Sequence, residues 1–335
     1  MWPQAIRHYR CPACRAALRS NAADPAAQTS IIEATLACSG CGAAYPVKNG
    51  IPRFVPPDNY AESFGYQWNL HRNTQLDSVT GLPISRNRLF EVSGWPRALP
   101  AQRILEAGSG AGRFTEVLLS TGAAVFSFDY SSAVEANFTN NGTHANLNLF
   151  QGDIFNIPLQ PAGFDKVICL GVLQHTPDPP AAFDALAAQV RPGGELVIDV
   201  YTRSLVASLQ WKYLLRPLTR RMDQRKLYRL VSAVVPALVP VTAWLRRHAG
   251  RIGARLSPIV EYSQLGLSAA TNLQWAVLDT FDMYSPAHDH PQSLATVKLW
   301  FEHAGFEHIE VRYGPNGVVG KGRKPGAETM TPAAS

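Results

Sequence analysis

A strand–turn–helix segment near the middle of the chain constrains the fold more than any other feature of the sequence. Residues 103–119 read RILEAGSGAGRFTEVLL, which is a short apolar stretch, three glycines within five residues, and the start of an amphipathic pattern. From this segment to residue 202, strand-like segments alternate with helical ones, which predicts a parallel sheet with helices on both faces. Ligands of such sheets bind beyond the carboxyl ends of the strands, where the glycine turn lies. The sequence therefore predicts a doubly wound α/β domain with a ligand at this turn.

The residues around the glycine turn discriminate between a mononucleotide phosphate, a dinucleotide and S-adenosylmethionine. A phosphate-binding loop needs Gly-Lys-Ser/Thr, whereas Gly112 is followed by arginine and phenylalanine. A dinucleotide turn is spaced G-x-G-x-x-G, and the acid Glu106 would meet its pyrophosphate. The same carboxylate suits a sulfonium and an ammonium, and Asp129 at the end of the next strand is placed to accept both ribose hydroxyls. Alternatively, Glu106 is a solvated strand-end acid and Asp129 a helix cap.

At these residues the sequence resembles the class I S-adenosylmethionine-dependent methyltransferases. LEAGSGAGRF is similar to the glycine motif of that family, FDYS to the segment with the ribose acid, and QGDIFNIPL to the segment whose acid, here Asp153, contacts the adenine amino group. The likeness covers residues 100–202 and resumes near residue 290. It implies a Rossmann-like, mostly parallel seven-stranded sheet and methyl transfer from S-adenosylmethionine. We expect donor contacts from Glu106, Gly108, Gly110, Gly112, Asp129, Tyr130, Asp153, Ile154 and Leu170.

Three residues are candidates for contact with the methyl acceptor. His175 follows the fourth strand and would lie at the carboxyl edge of the sheet beside the methyl group, where it could act as a general base. The alternative is that His175 lines the donor pocket without moving a proton. Tyr284 and His288 lie in LDTFDMYSPAHDH, and in related methyltransferases the segment ahead of the next helix faces the acceptor. A polar loop with helix capping is the alternative for that segment.

The first fifty residues carry a separate metal-binding pattern. Cys11 and Cys14, then Cys38 and Cys41, form two C-x2-C pairs with 23 residues between them, close to the spacing of a four-cysteine zinc ribbon. Four thiolates leave no open coordination position, so we expect a structural zinc. The following YPVKNGIPRFV resembles the small zinc-ribbon domains that accompany methyltransferases, fused or as separate partners. Such a domain either stabilises the protein or binds substrate.

Two segments flank the predicted sheet. The aromatic stretch 58–100 resembles the helical lead-in of bacterial methyltransferases, whose first helices close over the donor. Its aromatic residues either wall the donor site or form ordinary core, and core is the more frequent outcome at such spacing. They are Tyr60, Phe64, Tyr66 and Trp68. Near the other end, EVRYGPNGVVGKG predicts the antiparallel hairpin typical of this fold.

A basic insertion follows the fifth strand. The net charge is +6, but residues 201–260 carry twelve Lys and Arg against one acid, Asp223. Within them LVSAVVPALVPVTAWL is interrupted by Pro236 and Pro240, and we expect it to be too short to span a bilayer. Apolar residues flanked by cations suit an interfacial element on anionic lipid, and the alternative is a helical lid over the acceptor pocket. Nucleic acid would use the same cations but would leave the apolar run unexplained.

These features predict an S-adenosylmethionine-dependent methyltransferase that acts on a small-molecule or a lipid- or glycan-linked acceptor. RNA methylation is the second enzyme hypothesis, although no Asn-Pro-Pro-Tyr or Cys nucleophile motif follows the fourth strand. A donor-binding partner protein without turnover is the non-enzyme hypothesis. An isotope-transfer assay distinguishes the last from the other two.

Localisation and domain boundaries follow from the same features. No stretch reaches roughly 20 uninterrupted apolar residues and no signal-peptide pattern is present, so we expect a cytoplasmic protein with an option of peripheral membrane contact through residues 203–260. The predicted organisation is a zinc ribbon at 1–57, a helical lead-in at 58–100, a methyltransferase domain at 101–324 with its insertion at 203–262, and a disordered tail at 325–335.

Overall fold

A small antiparallel sheet begins the computed structural model, which describes residues 1–21, 30–56, 59–203 and 211–326. After a 3-10 helix at Pro3–His8 come β1 (Leu18–Ser20), β2 (Ala34–Cys38), β3 (Ala44–Lys48) and β4 (Ile51–Pro52), which pair in that order. This is the small ribbon that the cysteine spacing predicts. The predicted tail lies outside the described residues from residue 327 onward.

Three short helices lead from the ribbon to the main sheet. They are α1 (Glu62–Leu70), α2 (Asp77–Thr80) and α3 (Ile84–Ser93). Gly81 and Gly94 end α2 and α3 in the left-handed conformation, which a glycine adopts without steric cost. The predicted lead-in is therefore helical in the described residues from 59 to 100.

Seven strands form the central sheet. They are β5 (Arg103–Ala107), β6 (Ala124–Asp129), β7 (Leu147–Gln151), β8 (Phe164–Leu170), β9 (Val190–Val200), β10 (Glu307–Gly314) and β11 (Gly317–Arg323). Their order is β10-β11-β9-β8-β5-β6-β7; β5 to β9 run parallel, and β11 is antiparallel to both of its neighbours. The predicted mostly parallel seven-stranded sheet and the C-terminal hairpin are confirmed.

Helices cover both faces of this sheet. α4 (Arg113–Leu119), α5 (Val134–Asn141) and α6 (Pro179–Gln189) connect the parallel strands. Successive side chains of a strand point to opposite faces, so Ile104 and Leu105, both fully buried, belong to two different apolar clusters. Burial on both sides explains why the central strands read as continuous apolar runs. It also leaves the carboxyl ends of the strands as the free edge for a ligand.

The ribbon packs against one lateral edge of the central sheet, along the edge strand β7. The backbone N–H of Phe54 donates to the Gln151 carbonyl at 2.9 Å, and the ring of Phe54 lies edge-on to Phe150 at 6.1 Å. The fully buried Tyr9 also contacts Phe150, with ring centroids 5.6 Å apart. An unpaired edge strand invites association with other chains. The ribbon covers β7 and so belongs to the same folded unit as the catalytic sheet.

The insertion after β9 is helical, as predicted. It contains α7 (Trp211–Thr219) and α8 (Gln224–Arg255), and it continues into α9 (Ala269–Tyr284), while α10 (Leu294–His303) returns to the sheet. The two long helices share a third apolar cluster, in which Leu227, Val231 and Val235 contact residues of α9.

The expectation that the prolines interrupt the apolar run of the insertion is wrong. α8 continues through Pro236 and Pro240, and its non-helical residues are Ala249 and Gly250. Each proline removes one helical N–H donor, and both prolines are exposed. The resulting helix, Gln224–Gly250, is long and apolar enough to cross a membrane by length and composition alone, and only 22% of its most apolar window is buried.

Candidate functional site

The glycine turn between β5 and α4 forms the floor of the candidate site. Gly108 and Gly110 have φ angles of +75° and +52°, a conformation that favours glycine. A Cβ on Gly108 would lie 2.3 Å from a methyl group of Val172, and one on Gly110 would lie 3.1 Å from the indole of Trp68. Neither position has room for a side chain. The turn therefore keeps backbone N–H groups at the carboxyl edge of the sheet.

Glu106 is buried at the end of β5, with one carboxylate oxygen left without a partner. Its Oε2 accepts hydrogen bonds from the Thr115 hydroxyl at 2.5 Å and the Ser127 hydroxyl at 2.8 Å. Its Oε1 is buried and has no hydrogen-bond partner among the residues that the structure describes. Burial raises the pKa of Glu106 to about 7, and these hydroxyls oppose the increase. A buried acceptor without a donor is costly, and an ammonium group would satisfy it.

Asp129 is the last residue of β6 and connects the two loops of the site. Its Oδ2 accepts from the Gly110 N–H at 2.9 Å, and its Oδ1 accepts from the Ser131 N–H at 2.9 Å and the Ser131 hydroxyl at 2.7 Å. Burial raises the pKa of this carboxyl group. A carboxylate offers about four acceptor positions, so this one retains capacity for a further hydroxyl donor.

The aromatic pair Tyr60 and Tyr130 lies beside these acids. Their rings stack with centroids 4.8 Å apart, and burial, followed by the charge of Asp153, raises the pKa of both phenol groups. Asp153 itself caps a 3-10 turn by accepting from the Phe155 N–H at 2.9 Å. Flat rings and an acid at this edge fit an adenine with its amino group. The structure places Tyr130 and Asp153 close to each other, and their contacts with the donor stay predictions.

The remaining predicted donor contacts are placed less uniformly. Ile154 and Leu170 are buried apolar residues; Leu170 ends β8, and Ile154 begins the 3-10 turn that follows β7. Gly112 begins α4 and faces α5, because a Cβ there would lie 2.3 Å from Asn137 and 2.4 Å from Asn141. This glycine is needed for close packing of α4 on α5, and its place as a donor contact stays a prediction.

The lead-in aromatics divide between the site and the core. Trp68 lies over Gly110, and the ring of Phe64 lies 5.2 Å from that of His175. Tyr66 instead joins the apolar cluster of the insertion. The frequency argument from the sequence favours core for all of them, whereas Trp68, Phe64 and Tyr60 all lie against residues of the site. α1 therefore forms a wall that limits access of water.

His175 is held in one tautomer at the edge of the sheet. Its Nδ1 lies 3.0 Å from the His288 carbonyl oxygen, which only accepts, so the proton is on Nδ1 and the lone pair is on Nε2. Burial lowers the pKa of His175 to about 4, which keeps the ring neutral at neutral pH. Phe64 and Tyr201 enclose the ring at 5.2 and 5.3 Å. A neutral imidazole with a fixed tautomer can accept a proton.

The two other acceptor candidates lie in different places. His288 contacts the site, because its carbonyl holds His175 and its ring lies edge-on to Tyr60 at 5.5 Å. Tyr284 is buried in the cluster between α8 and α9, where its hydroxyl donates to the Pro258 carbonyl at 2.6 Å. The structure therefore brings His288 together with His175 and places Tyr284 in the helical core. An acceptor role for Tyr284 stays a prediction.

The sequence did not identify a buried polar group beneath the insertion. Asp282 accepts from the Tyr201 hydroxyl at 3.5 Å, and Asp279 accepts from the Gln75 side chain at 3.1 Å and from Tyr262. Burial raises the pKa of Asp279 to about 6. The two acids are three residues apart on α9, and this spacing can be seen in the sequence. Their tyrosine partners come from distant segments that no local pattern connects.

The four cysteines of the ribbon converge as the spacing predicts. The Sγ atoms of Cys11, Cys14, Cys38 and Cys41 all lie within 4.8 Å of one another. The N–H groups of Gly40 and Cys41 point at the Cys38 sulfur at 3.3 and 3.4 Å, as donors to a thiolate do. Four sulfur ligands at this separation fit a closed tetrahedral zinc site. The fifth cysteine, Cys169, is buried in β8.

The doubly wound sheet and the glycine turn between two strand-end acids are the features expected of an S-adenosylmethionine-dependent methyltransferase domain. Residues 105–198 match the family model described as a methyltransferase domain. Residues 10–50 match the model described as Trm112p-like protein. The chain thus contains a methyltransferase domain that follows a Trm112p-like zinc ribbon. The two cofactor predictions, S-adenosylmethionine and structural zinc, are confirmed at the level of these domains.

Characterised relatives agree with this class. The ubiquinone biosynthesis O-methyltransferase of Xylella fastidiosa strain 9a5c is 31% identical over 159 residues, which cover 45% of this chain and 61% of that protein. The protein of the same name from Yersinia pestis strain Pestoides F is 28% identical over 197 residues, 57% of this chain and 79% of that protein. The chain thus spans less than two thirds of the first of these relatives.

A solved complex between the Haloferax volcanii Trm112 methyltransferase activator and a methyltransferase also resembles this chain. It is 12% identical with a TM-score of 0.48, and the match covers 81% of this chain and 98% of that chain. A likeness at this level does not bear on the function of the protein.

Proposed function

We propose that this protein transfers the methyl group of S-adenosylmethionine to a small-molecule or lipid- or glycan-linked acceptor. The observation that carries the proposal is the unpartnered, buried Oε1 of Glu106 beside a glycine turn that has no room for side chains. An ammonium-bearing donor satisfies that oxygen, whereas a phosphate would not. The names of the curated relatives support a small-molecule acceptor.

Each residue of the site has a definite task in this reaction. The donor would supply a methyl group on a sulfonium, and breaking its S–CH3 bond releases a neutral thioether, which is a good leaving group. Glu106 would bind the ammonium, Asp129 would orient the ribose, and Tyr130 would lie against the adenine. The aromatic residues of α1 exclude water, and rate then comes mainly from positioning of the acceptor in line with the methyl group.

His175 is the general base of the proposed reaction when the acceptor is weakly acidic. Its Nδ1–H is held by the His288 carbonyl, so Nε2 is the atom that receives the proton. The low pKa keeps His175 neutral and available at neutral pH, at the cost of a weaker driving force for proton transfer. For an acceptor that ionises by itself, the ring positions the acceptor and moves no proton.

We further propose that the protein works at a membrane surface on the cytoplasmic side. α7 and α8 expose large apolar residues to solvent, among them Leu214 at 70%, Leu218 at 72% and Trp244 at 59%. Several exposed cations flank them, which suits contact with anionic lipid. α8 is held to the domain by the apolar cluster that it shares with α9, which favours an interfacial over a spanning position.

Incubation with isotopically labelled donor and fractionated cell extract tests methyl transfer. We expect label in a lipid or soluble-metabolite fraction and none in a reaction with a Glu106→Gln variant. Asp178→Asn, which changes the exposed N-cap of α6, is the matched control. Label in RNA would support the second enzyme hypothesis, and donor binding without label in any fraction would support the non-enzyme one.

A further inference from the structure

A cleft between α7 and the segment before α10 lies outside the donor site and has a volume of about 330 Å³. One face of α7 forms its first wall with Arg216 and Arg220, and residues 287–290 form the second. The walls carry guanidinium and imidazole groups and one carboxylate. The chemistry of the cleft is therefore set by positive charge.

The charges in this cleft do not balance. Lys212 and Arg216 are 7% and 8% exposed, and both contact the same carboxylate, Asp289, at 3.0 and 3.6 Å. Within the described residues, Asp289 is the acid that forms an ion pair both with Lys212 and with Arg216. Lys212 does not line the cleft, and the charge of the buried Asp282 also acts on Lys212 and Arg216. Among the residues that line the cleft, Arg216 and the exposed Arg220 are cationic and Asp289 is anionic, so the wall carries an excess of one positive charge that would attract an anion.

The geometry of Arg216 also favours an oxyanion. Its Nη2 donates to the Pro286 carbonyl at 2.6 Å, and this bond together with Asp289 fixes the guanidinium plane against the cleft. A planar guanidinium with fixed orientation matches phosphate oxygens and loses little entropy on binding. Lys212 is positioned over the Tyr201 ring at 4.8 Å.

The cleft adjoins the methyl-transfer site through His288. This residue lines the cleft, and its carbonyl holds His175 while its ring contacts Tyr60. Next to it, the His290 N–H donates to the Gln174 carbonyl at 2.8 Å, directly before His175 in the chain. A molecule with one group in the cleft can therefore present another group to the donor edge.

α7 also separates two environments. Tyr213, Arg216, Pro217 and Arg220 face the cleft, while Trp211, Leu214 and Leu218 are exposed apolar residues on the opposite side. This spacing is that of two faces of one helix.

We propose that the cleft is a binding subsite for a phosphate-class oxyanion carried by the methyl acceptor. The statement that the oxyanion belongs to the methyl acceptor rests on the proposed methyl transfer, whereas binding of the oxyanion itself does not depend on it. The oxyanion is either a phosphate on a soluble metabolite or the headgroup of a lipid at the surface that α7 faces.

Calorimetry on the full zinc-loaded chain, saturated with S-adenosylhomocysteine, tests the subsite. The probes are inorganic pyrophosphate, monomeric dihexanoyl phosphatidic acid and uncharged dihexanoylglycerol. We expect the first two to bind and Arg220→Gln to weaken both by about three- to tenfold, because one charged donor is lost. Arg221→Gln, the exposed neighbour that does not line the cleft, should leave both affinities unchanged. Tighter binding of the phosphatidic acid than of pyrophosphate identifies a lipid as the source of the oxyanion, and equal affinities identify a soluble phosphate.

A variant of the shared carboxylate gives a change of opposite sign. Asp289→Asn removes the anion that competes for Lys212 and Arg216, so pyrophosphate should bind more tightly, and it should raise the unfolding temperature of the variant more than that of the wild type. If Asp289 had only a structural role, the Asp289→Asn variant would not bind pyrophosphate more tightly than the wild type. Equal weakening by the Arg220 and Arg221 variants, or loss of affinity in Asp289→Asn, overturns the proposal. Absence of methyl transfer with intact pyrophosphate binding would reject the proposed function alone.

Discussion

Asp129 carries two tasks at the donor site, because it joins the glycine turn to the loop after β6 and retains capacity for a ribose hydroxyl. Asp129→Ala should weaken binding of S-adenosylmethionine by about 1.5–3 kcal/mol, the scale of hydrogen bonds to a charged group. Calorimetry measures the loss, and thermal unfolding reports the structural part of it. Asp178→Ala removes another capping carboxylate without loss of donor affinity. Unchanged affinity in a folded Asp129→Ala protein would remove this assignment.

Glu106 should make donor binding depend on pH. Burial raises the pKa of Glu106 to about 7 in the free protein, and the ammonium of the donor prefers the ionised carboxylate. Lowering the pH below 7 protonates Glu106, so donor affinity should fall by up to about tenfold per pH unit, and binding near pH 7 should release a proton. Calorimetry in buffers of different ionisation enthalpy detects that proton. Glu106→Gln should bind the donor weakly, and its donor affinity should no longer fall as the pH is lowered. A pH profile of binding equal to that of the wild type would contradict this role.

At the scale of single residues, the sequence predicted those that act through local order. Glu106, Gly108 and Asp129 lie at or just after strand ends. The periodicity of the sequence shows where those strands end, so these residues could be predicted as site residues. The pairs of Lys212 with Asp289 and of Tyr201 with Asp282 join segments far apart in the chain. No spacing rule connects such partners, so only the fold could show them.

At the scale of elements, α7 is the part that decides whether the protein contacts lipid. A double variant, Leu214→Asp with Leu218→Asp, should lose cosedimentation with anionic vesicles by at least about tenfold, because each leucine contributes about 1.5–3 kcal/mol on burial. Donor affinity should be unchanged. Leu299→Asp, at an exposed leucine of α10, is the matched control.

The vesicle experiment also separates the two interpretations of the insertion. Wild-type protein should bind anionic vesicles at low salt and bind less at moderate salt, since surface cations are screened. Failure of the wild type to bind either anionic or neutral vesicles would eliminate the interfacial interpretation and leave a lid over the acceptor pocket.

The helical elements show where local rules and tertiary context differ. Pro236 and Pro240 predict an interruption of α8, yet the helix continues through both of them and both are exposed. The spacing of Trp68 is that of ordinary core, yet its indole covers Gly110 because α1 crosses the glycine turn. The strands were predicted more accurately, since burial on both faces leaves a direct mark on composition.

At the scale of the whole molecule, the zinc ribbon and the methyltransferase sheet share one interior. Tyr9 and Phe54 of the ribbon pack on Phe150 of β7, and Arg53 forms an ion pair with Glu135 of α5. The ribbon has little core of its own, and a small domain of this kind depends on its metal for folding. Loss of zinc should therefore be felt in the catalytic domain.

Protein purified without added zinc should contain about one equivalent of the metal, since a closed site of four thiolates retains its ion. Cys14→Ser should lose zinc and lower the free energy of unfolding of the methyltransferase domain by at least about 1.5–3 kcal/mol, the value of one buried aromatic such as Phe54. Cys169→Ala, which changes the buried cysteine of β8, should keep the zinc. Metal analysis and thermal unfolding measure both effects. If the domain unfolded at the same temperature with and without zinc, the ribbon would have no part in its stability, and a direct role toward the acceptor would be the remaining explanation.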